Sequence, residues 1–123
     1  MAEPKIKDFE DLRVWQSAHA LVLAVYCLTK TFPKEEMVGL TSQMRRAAFS
    51  VPANIAEGFG RSGKKEKANF YNIAMGSLSE LRYFFILSKS LGYASEISDF
   101  QVSCRLTAKM LQRLLAAVKG PTS

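Results

Sequence analysis

The chain has 123 residues, of which 48% are hydrophobic, and a formal net charge of +6. That length suits one domain with its own core and is short for two. No stretch approaches the roughly 18 uninterrupted apolar residues of a membrane span, and residues 1–12 lack the apolar run of a secretory signal, so we expect a cytoplasmic protein.

The first predicted helix runs from about Asp11 to Thr31. Asp8 and Asp11 place acidic groups at its start, where they suit the positive end of the helix dipole. Phe32 ends it, because a residue that precedes a proline avoids the helical region. The apolar residues on one face are Leu12, Trp15, Ala18, Val22 and Val25.

The second predicted helix begins near Pro33 to Glu36, since proline is well tolerated in a first helical turn. It continues through residues 43–61, QMRRAAFSVPANIAEGFGR. Pro52 lacks a backbone donor, yet the apolar spacing resumes in phase after it, so we predict a kink there rather than a break. Gly58 and Gly60 supply conformations that end the helix.

The third predicted helix runs from about Lys64 to Leu91 and is closed by Gly92. Ser95 or Ser98 can cap the fourth helix, which ends at Lys119-Gly120-Pro121. No run alternates with the two-residue period of a strand. The chain is therefore predicted to be all-α.

Four amphipathic helices joined by short turns bury their apolar faces most simply as an antiparallel up-down-up-down bundle with a kinked second helix. We predict a single domain over residues 1–123, with flexible ends at 1–8 and 120–123. Six aromatic residues exceed what one central seam can hold, so some are expected at a contact between copies. These are Phe49, Phe59, Tyr83, Phe85, Tyr93 and Phe100.

The positive charge is concentrated in two regions. Residues 45–67 carry a net +4 and the last helix a net +2, and the remaining charges cancel. Such regions attract nucleic acid or another acidic partner, although lysine and arginine also solvate ordinary helix faces. The candidate nucleic-acid-binding residues are Arg61, Lys64, Lys65, Lys67, Arg105, Lys109 and Arg113.

Residues 58–63 satisfy the dinucleotide pattern G-x-G-x-x-G, and residues 58–64 most of the phosphate-loop pattern. Both patterns need a strand before the glycines, whereas the residues before Gly58 belong to a predicted helix. Lys65 also stands where a phosphate loop needs serine or threonine to hold magnesium. We therefore predict no nucleotide chemistry. The weaker alternative, a phosphate held at the start of the third helix, stays open beside a plain solvated turn.

The sequence lacks the sets of residues that a metal site or a catalytic site would need. His19 is the one histidine, and Gln16 stands where a di-iron bundle needs glutamate, so we predict no metal, no cofactor and no enzymatic activity. We expect His19 at the helix surface or an interface. Cys27 and Cys104 fall in helical apolar patterns without a close partner and are expected to be reduced and buried.

A second group of polar residues surrounds the predicted kink. We interpret it as a structural network that ties the second helix to its neighbours and satisfies the carbonyls freed by Pro52, with direct ligand binding as the alternative. Glu57 and Arg61 are four residues apart, which allows an ion pair. The network residues are Arg45, Arg46, Asn54, Glu57 and Glu80.

Residues 9–91 resemble a known family through several runs. They are Phe9-x-Asp11-Leu12-x-Val14-Trp15-Gln16, Phe32-Pro33 followed by Glu36 and Gly39-Leu40, Gln43-Met44-Arg45-Arg46-Ala47-Ala48, Ser50-x-Pro52-x-Asn54-Ile55-Ala56-Glu57-Gly58, and Phe70 followed by Ala74-x-Gly76-Ser77-x-x-Glu80-Leu81. Together they look like the four-helix-bundle proteins encoded in intervening sequences of bacterial 23S ribosomal RNA genes.

The resemblance implies a small bacterial cytosolic protein that assembles as a ring-shaped homopentamer and has no established enzymatic activity. It also implies kinship with the accessory variability proteins of diversity-generating retroelements, which bind a reverse transcriptase and nucleic acid.

The leading hypothesis is a non-enzymatic oligomeric bundle protein that binds RNA or DNA backbone through its basic surfaces. The alternative is a protein-protein interaction scaffold with no nucleic-acid role. An enzyme is the least favoured class, because an active site needs perturbed ionisable groups and the bundle offers few buried candidates beyond Glu57 and Glu80.

Overall fold

The computed structural model describes residues 5–120 and contains four α-helices packed against one another. They are α1 (Arg13–Thr29), α2 (Leu40–Phe59), α3 (Lys64–Ser90) and α4 (Ser98–Lys119), with short 3₁₀ turns at Phe9–Asp11 and Lys34–Glu36. No strand occurs within residues 5–120. The all-α prediction is confirmed. Residues 1–4 and 121–123 of the expected flexible ends, Pro121 among them, lie outside the described residues.

The predicted acidic start of α1 is a hydrogen-bonded turn. The Asp8 carboxylate accepts from the backbone N–H of Phe9 at 2.8 Å, and the Asp11 carboxylate accepts from the N–H of Asp8 at 3.0 Å. Carboxylates at these positions satisfy donors that have no intrahelical partner. The helix itself ends at Thr29, two residues before the predicted end.

The predicted start of the second helix at Pro33 is wrong. Residues Lys34–Glu36 form a separate 3₁₀ turn, and α2 begins at Leu40. The Glu36 carboxylate accepts from the N–H of Leu40 at 3.1 Å and from the Tyr93 hydroxyl at 2.8 Å. A Cβ on Gly39 would lie 2.8 Å from the Glu36 Oε1 atom, so the glycine leaves room for this carboxylate to reach the helix. Glu36 thereby joins the start of α2 to the α3–α4 connection.

Two glycines of α2 act differently from the prediction. Gly58 is helical, and Gly60 has a φ of −77°, so neither supplies a special conformation. A Cβ on Gly58 would lie 2.6 Å from the Tyr71 ring, which is buried. Gly58 therefore allows α2 to approach α3 closely. Gly92, with a φ of 80°, does end α3 as predicted.

The helix α2 continues through Pro52, whose side chain is buried. No break occurs, and the bend itself stays a prediction.

The core lies between the four helices, with α1 and α3 each packed against α2 and α4. The start of α2 meets the end of α3, where the Ser88 hydroxyl lies 3.6 Å from the Met44 sulfur, and the end of α2 meets Tyr71 near the start of α3. These two helices thus run in opposite directions. The complete up-down-up-down order stays a prediction. The largest core side chains are Met44, Ile55, Tyr71, Leu78, Leu81, Phe85 and Leu111.

The cysteines differ from each other. Cys104 is buried in the core, and burial raises the pKa of its thiol to about 11. Cys27 lies on the outer face of α1 and is exposed, so the prediction that both thiols are buried is wrong for Cys27. The apolar residues of α1 do not all face the core, since Leu23 and Tyr26 near Cys27 are also exposed, and this is why the prediction failed.

The predicted serine cap of α4 is wrong. The Glu96 carboxylate accepts from the N–H groups of Ser98 and Ile97, each at 2.8 Å. These hydrogen bonds lower the pKa of Glu96, and the bond from Ser98 has the largest effect.

Within residues 5–120, no helix is long and apolar enough to span a membrane.

Candidate nucleic-acid interface

Arg61, in the turn between α2 and α3, pairs with carboxylates. Its guanidinium donates to Glu57 Oε2 at 2.9 Å and lies 3.9 Å from Glu66 Oε2. The guanidinium carbon also lies 5.0 Å from the centroid of the Phe70 ring. The predicted Glu57–Arg61 pair is confirmed. The positive charge of Arg61 is therefore largely compensated by carboxylates at the position where a phosphate would have to bind.

Lys67 is occupied by the backbone. Its Nζ donates to the carbonyl oxygens of Phe59 at 2.8 Å and Gly58 at 3.2 Å, and it lies 5.5 Å from the centroid of the Phe59 ring. Those carbonyls are in the last turn of α2, where no intrahelical donor remains and the helix dipole favours a cation. Lys67 therefore caps the C-terminal end of α2 by hydrogen bonds to its last carbonyls, a role that the sequence interpretation missed.

Lys64 and Lys65 are exposed in the first turn of α3. This helix begins after Gly63 without a side-chain cap hydrogen bond, and its first turn also contains the carboxylate of Glu66. A helix start of this kind is electropositive. Of the four candidate cations around the turn, these two are exposed and have no ion-pair partner among residues 5–120.

Arg105, Lys109 and Arg113 lie exposed along α4. They are four residues apart, which spaces successive charges by about 6 Å along the helix. Across the described part of the chain, the ion pairs within 4.0 Å all belong to Arg61, so these three cations have no carboxylate partner. Arg113 shares a groove with Arg13 of α1. The result is a row of uncompensated positive charge.

Arg105 and Lys109 also border a shallow open groove of about 430 Å³ on α4. Its other lining residues are Val102, Leu106, Ala108 and Gln112.

The predicted polar network is divided between two helix contacts. The Nε of Arg45 donates to the Thr29 hydroxyl at 2.8 Å, and its guanidinium carbon lies 4.6 Å from the centroid of the Tyr26 ring. Arg45 therefore ties α2 to a neighbouring helix, as the network interpretation expected, although its partner is Thr29 of α1 and not a carbonyl near Pro52. Thr29 could not be identified as this partner from the sequence, because threonine in an apolar helical pattern resembles a core residue.

Asn54 belongs to the other contact, between α2 and α3. Its side-chain amide donates to the Ser50 carbonyl at 2.8 Å and the Ser50 hydroxyl at 3.0 Å, and that hydroxyl lies 2.8 Å from the hydroxyl of Ser77. The serine pair links the two helices directly. Both serines occur in the motifs that carry the family resemblance, which was the available signal.

Arg46 and Glu80 line one polar groove of about 300 Å³ between α2 and α3 without approaching within ion-pair distance. Its other lining residues are Gln43, Ala47, Ser50, Ile73 and Ser77. Glu80 and Glu57 are both exposed, so the prediction that they are the buried ionisable groups is wrong. Each projects from the outward face of its helix.

The glycine motif and the histidine are placed as expected. Residues 58 and 59 are the end of α2, so a helix rather than a strand precedes the glycine-rich turn. His19 is exposed, with its ring stacked 5.0 Å from that of Trp15. Within residues 5–120, no three histidine, cysteine, aspartate or glutamate side chains are grouped as metal ligands.

Comparison with known proteins gives one family. The sequence model described as 23S rRNA-intervening sequence protein matches residues 10–113, which span the first three helices and most of α4. No curated protein matches. The match extends the resemblance into the fourth helix, and the kinship with accessory variability proteins stays a prediction.

Proposed function

The chain belongs to the 23S rRNA-intervening sequence protein family, and we propose that it is a non-enzymatic, oligomeric bundle protein of the bacterial cytoplasm that binds the backbone of RNA or DNA. Family membership accounts for the fold. The proposal for binding rests on the surface of α4.

The observation that carries the proposal is the row formed by Arg105, Lys109 and Arg113. All three are exposed and lack a carboxylate partner within the described residues. A cation that is already paired must lose its partner before it binds phosphate, whereas these three would exchange only water and mobile anions. Several such contacts along a polyanion release counterions, which makes binding strong at low salt and weak at high salt.

Lys64 and Lys65 are a second, smaller part of the proposed interface. They lie at the uncapped start of α3, where backbone N–H groups add to the positive potential. Arg61 and Lys67 are left out, because one is paired with carboxylates and the other with carbonyls. The proposed interface thus contains five of the seven cations that were candidates from the sequence.

Oligomerisation is supported by apolar side chains that the isolated chain leaves in solvent. Phe49 of α2 is 47% exposed, and Tyr83 of α3 is 56% exposed. Contacts between copies commonly cover such side chains. The resemblance implies five copies, and a multimer would let several weak phosphate contacts act together. Ile73 and Ile86 of α3 are also exposed.

Titration of fluorescently labelled structured RNA and duplex DNA at low and moderate salt tests the proposal, with light scattering of the same sample giving its oligomeric state. We expect salt-sensitive binding and a mass above that of the monomer. Arg105→Glu combined with Lys109→Glu should weaken binding by about 100-fold at low salt, because two attractions become repulsions.

A matched control has the same change in net charge. Lys30→Glu combined with Lys89→Glu reverses two exposed lysines outside the row, one directly after α1 and one in the last turn of α3. This control should weaken binding much less. No binding at low salt would contradict the nucleic-acid role, and a stoichiometric protein partner recovered after nuclease treatment would then favour the interaction scaffold. A clean monomer at micromolar concentration would contradict oligomerisation.

A further inference from the structure

The groove on α4 combines exposed aliphatic side chains with exposed cations. Val102 is 46% exposed and Leu106 is 55% exposed, and both lie beside Arg105 and Lys109. The side-chain amide of Gln112 completes one end. An aliphatic surface bordered by unpaired cations and an amide can meet a ligand that has both an apolar face and negative charge.

Helix geometry places these groups on one sector. Val102 and Leu106 are four residues apart, as are Arg105 and Lys109, so the aliphatic pair and the cationic pair run side by side along the helix. Each pair spans about 6 Å. A ligand that follows the cations therefore passes along the two aliphatic side chains.

Single-stranded nucleic acid offers this combination more fully than a duplex does. In a duplex the flat faces of the bases are stacked and covered, so phosphates, sugars and base edges are what a protein meets. In a single strand an unstacked base presents its face to an apolar or aromatic side chain, while its neighbouring phosphates stay free for cations. On a duplex, the thymine methyl groups in the major groove of DNA are the apolar partners that Val102 and Leu106 could meet, and they are smaller than the face of an unstacked base.

We propose that this groove binds one unstacked base of a single-stranded RNA or DNA segment. The base lies on Leu106 and Val102, and the flanking phosphates contact Arg105 and Lys109. This inference rests on the proposed nucleic-acid binding and names the form of nucleic acid that the site selects.

Three labelled ligands of one length, about 12 nucleotides, separate base contact from phosphate contact. They are a uridine single strand, a strand with the same phosphates but abasic sugars, and a duplex. We expect the uridine strand to bind about fivefold more tightly than the abasic strand at equal salt. It should also bind more tightly than the duplex.

The variant Leu106→Gln removes the aliphatic face without a change in charge. It should weaken the uridine strand to the level of the abasic strand and leave the salt dependence unchanged, because no phosphate contact is lost. Leu23→Gln is the matched control, since Leu23 of α1 is equally exposed, at 58%, and lies outside the groove. It should bind all three ligands like the unaltered protein.

The possible failures are distinguishable. Equal binding of uridine and abasic strands, or tighter binding of the duplex, would overturn the base site while the proposed backbone binding stands. No binding of any ligand at low salt would overturn both. Binding to vesicles of anionic phospholipid that is lost in Leu106→Gln, with no difference between uridine and abasic strands, would reassign the groove to a membrane surface and also overturn the base site.

Discussion

The turn between α2 and α3 and the exposed face of α4 carry similar numbers of cations, but they use them differently. In the turn, Arg61 is paired with two carboxylates and Lys67 with two carbonyls. On α4, Arg105 and Lys109 have no carboxylate within 4.0 Å among residues 5–120. A count of charges therefore overstates how much of the turn can meet a ligand and understates the importance of α4.

The reason lies in the position of each cation relative to helix ends. The last carbonyls of α2 have no intrahelical donor, so a nearby lysine binds them. Cations in the middle of α4 meet no such acceptors, because the carbonyls there are already used. The α4 sequence also has no aspartate or glutamate after Asp99, so no carboxylate stands three or four residues from the row.

The largest expected effect tests whether the end of α2, beside the turn, packs closely against α3. Gly58→Ala should lower the free energy of unfolding by about 2 kcal/mol, because its Cβ would overlap the buried Tyr71 ring at 2.6 Å and this overpacking exceeds the gain in helix propensity. Urea denaturation followed by circular dichroism measures the change.

Gly76→Ala is the control for that substitution. Gly76 is also helical, and no atom lies within 4 Å of its added Cβ, so we expect stabilisation of up to about 1 kcal/mol. If the two substitutions stabilised the protein equally, α2 and α3 would not be in the close contact described here.

A smaller effect separates two lysines that the sequence makes look equivalent. Lys67→Met should destabilise the fold by about 1–2 kcal/mol, because two carbonyls lose a charged donor. Lys64→Met should change stability by less than about 0.5 kcal/mol. Thermal denaturation of both variants gives the comparison.

Nucleic-acid binding should change in the opposite order. Lys64→Met is expected to weaken binding at low salt, and Lys67→Met to leave it nearly unchanged, since the Lys67 ammonium already serves α2. If Lys67→Met weakened binding as much as Lys64→Met without loss of stability, the turn would have to be counted as a full part of the interface.

Much of the fold could be predicted because apolar spacing repeats over long segments. The α3 helix was predicted within one residue, at Lys64 to Leu91, and its end at Gly92 follows from the need for a positive φ. The start of α2 could not be predicted, because Glu36 caps it through a bond that also depends on Tyr93, far along the chain. Helix interiors are encoded locally, whereas these ends depend on tertiary contacts.

The candidate site was predicted less completely for the same reason. Sequence spacing identified the Glu57–Arg61 pair and the row on α4. It could not distinguish Lys67 from Lys64, because the difference depends on where the end of α2 lies in space. The sequence analysis assigned no role to Leu106, which the structure places exposed on α4.

The smallest effect concerns Arg61, whose pair with Glu57 joins exposed side chains. Arg61→Gln, Glu57→Gln and the double variant form a cycle in which we expect a coupling of about 0.5 kcal/mol at low ionic strength. That coupling should disappear near 1 M salt, where the Debye length is about 3 Å. Denaturation at both ionic strengths measures it.

A destabilisation by Arg61→Gln that persisted above about 1 kcal/mol at high salt, after the coupling with Glu57 had disappeared, would show that Arg61 is fixed by more than its exposed carboxylates. The stack on Phe70 is the contact that could hold it, since a cation above a ring is less affected by salt than an exposed ion pair. Arg61 would then belong to the packing of α2 on α3 as fully as Lys67 does. Lys64 and Lys65 would remain the turn's whole part of the proposed interface, and the contrast with the uncompensated row on α4 would be sharper.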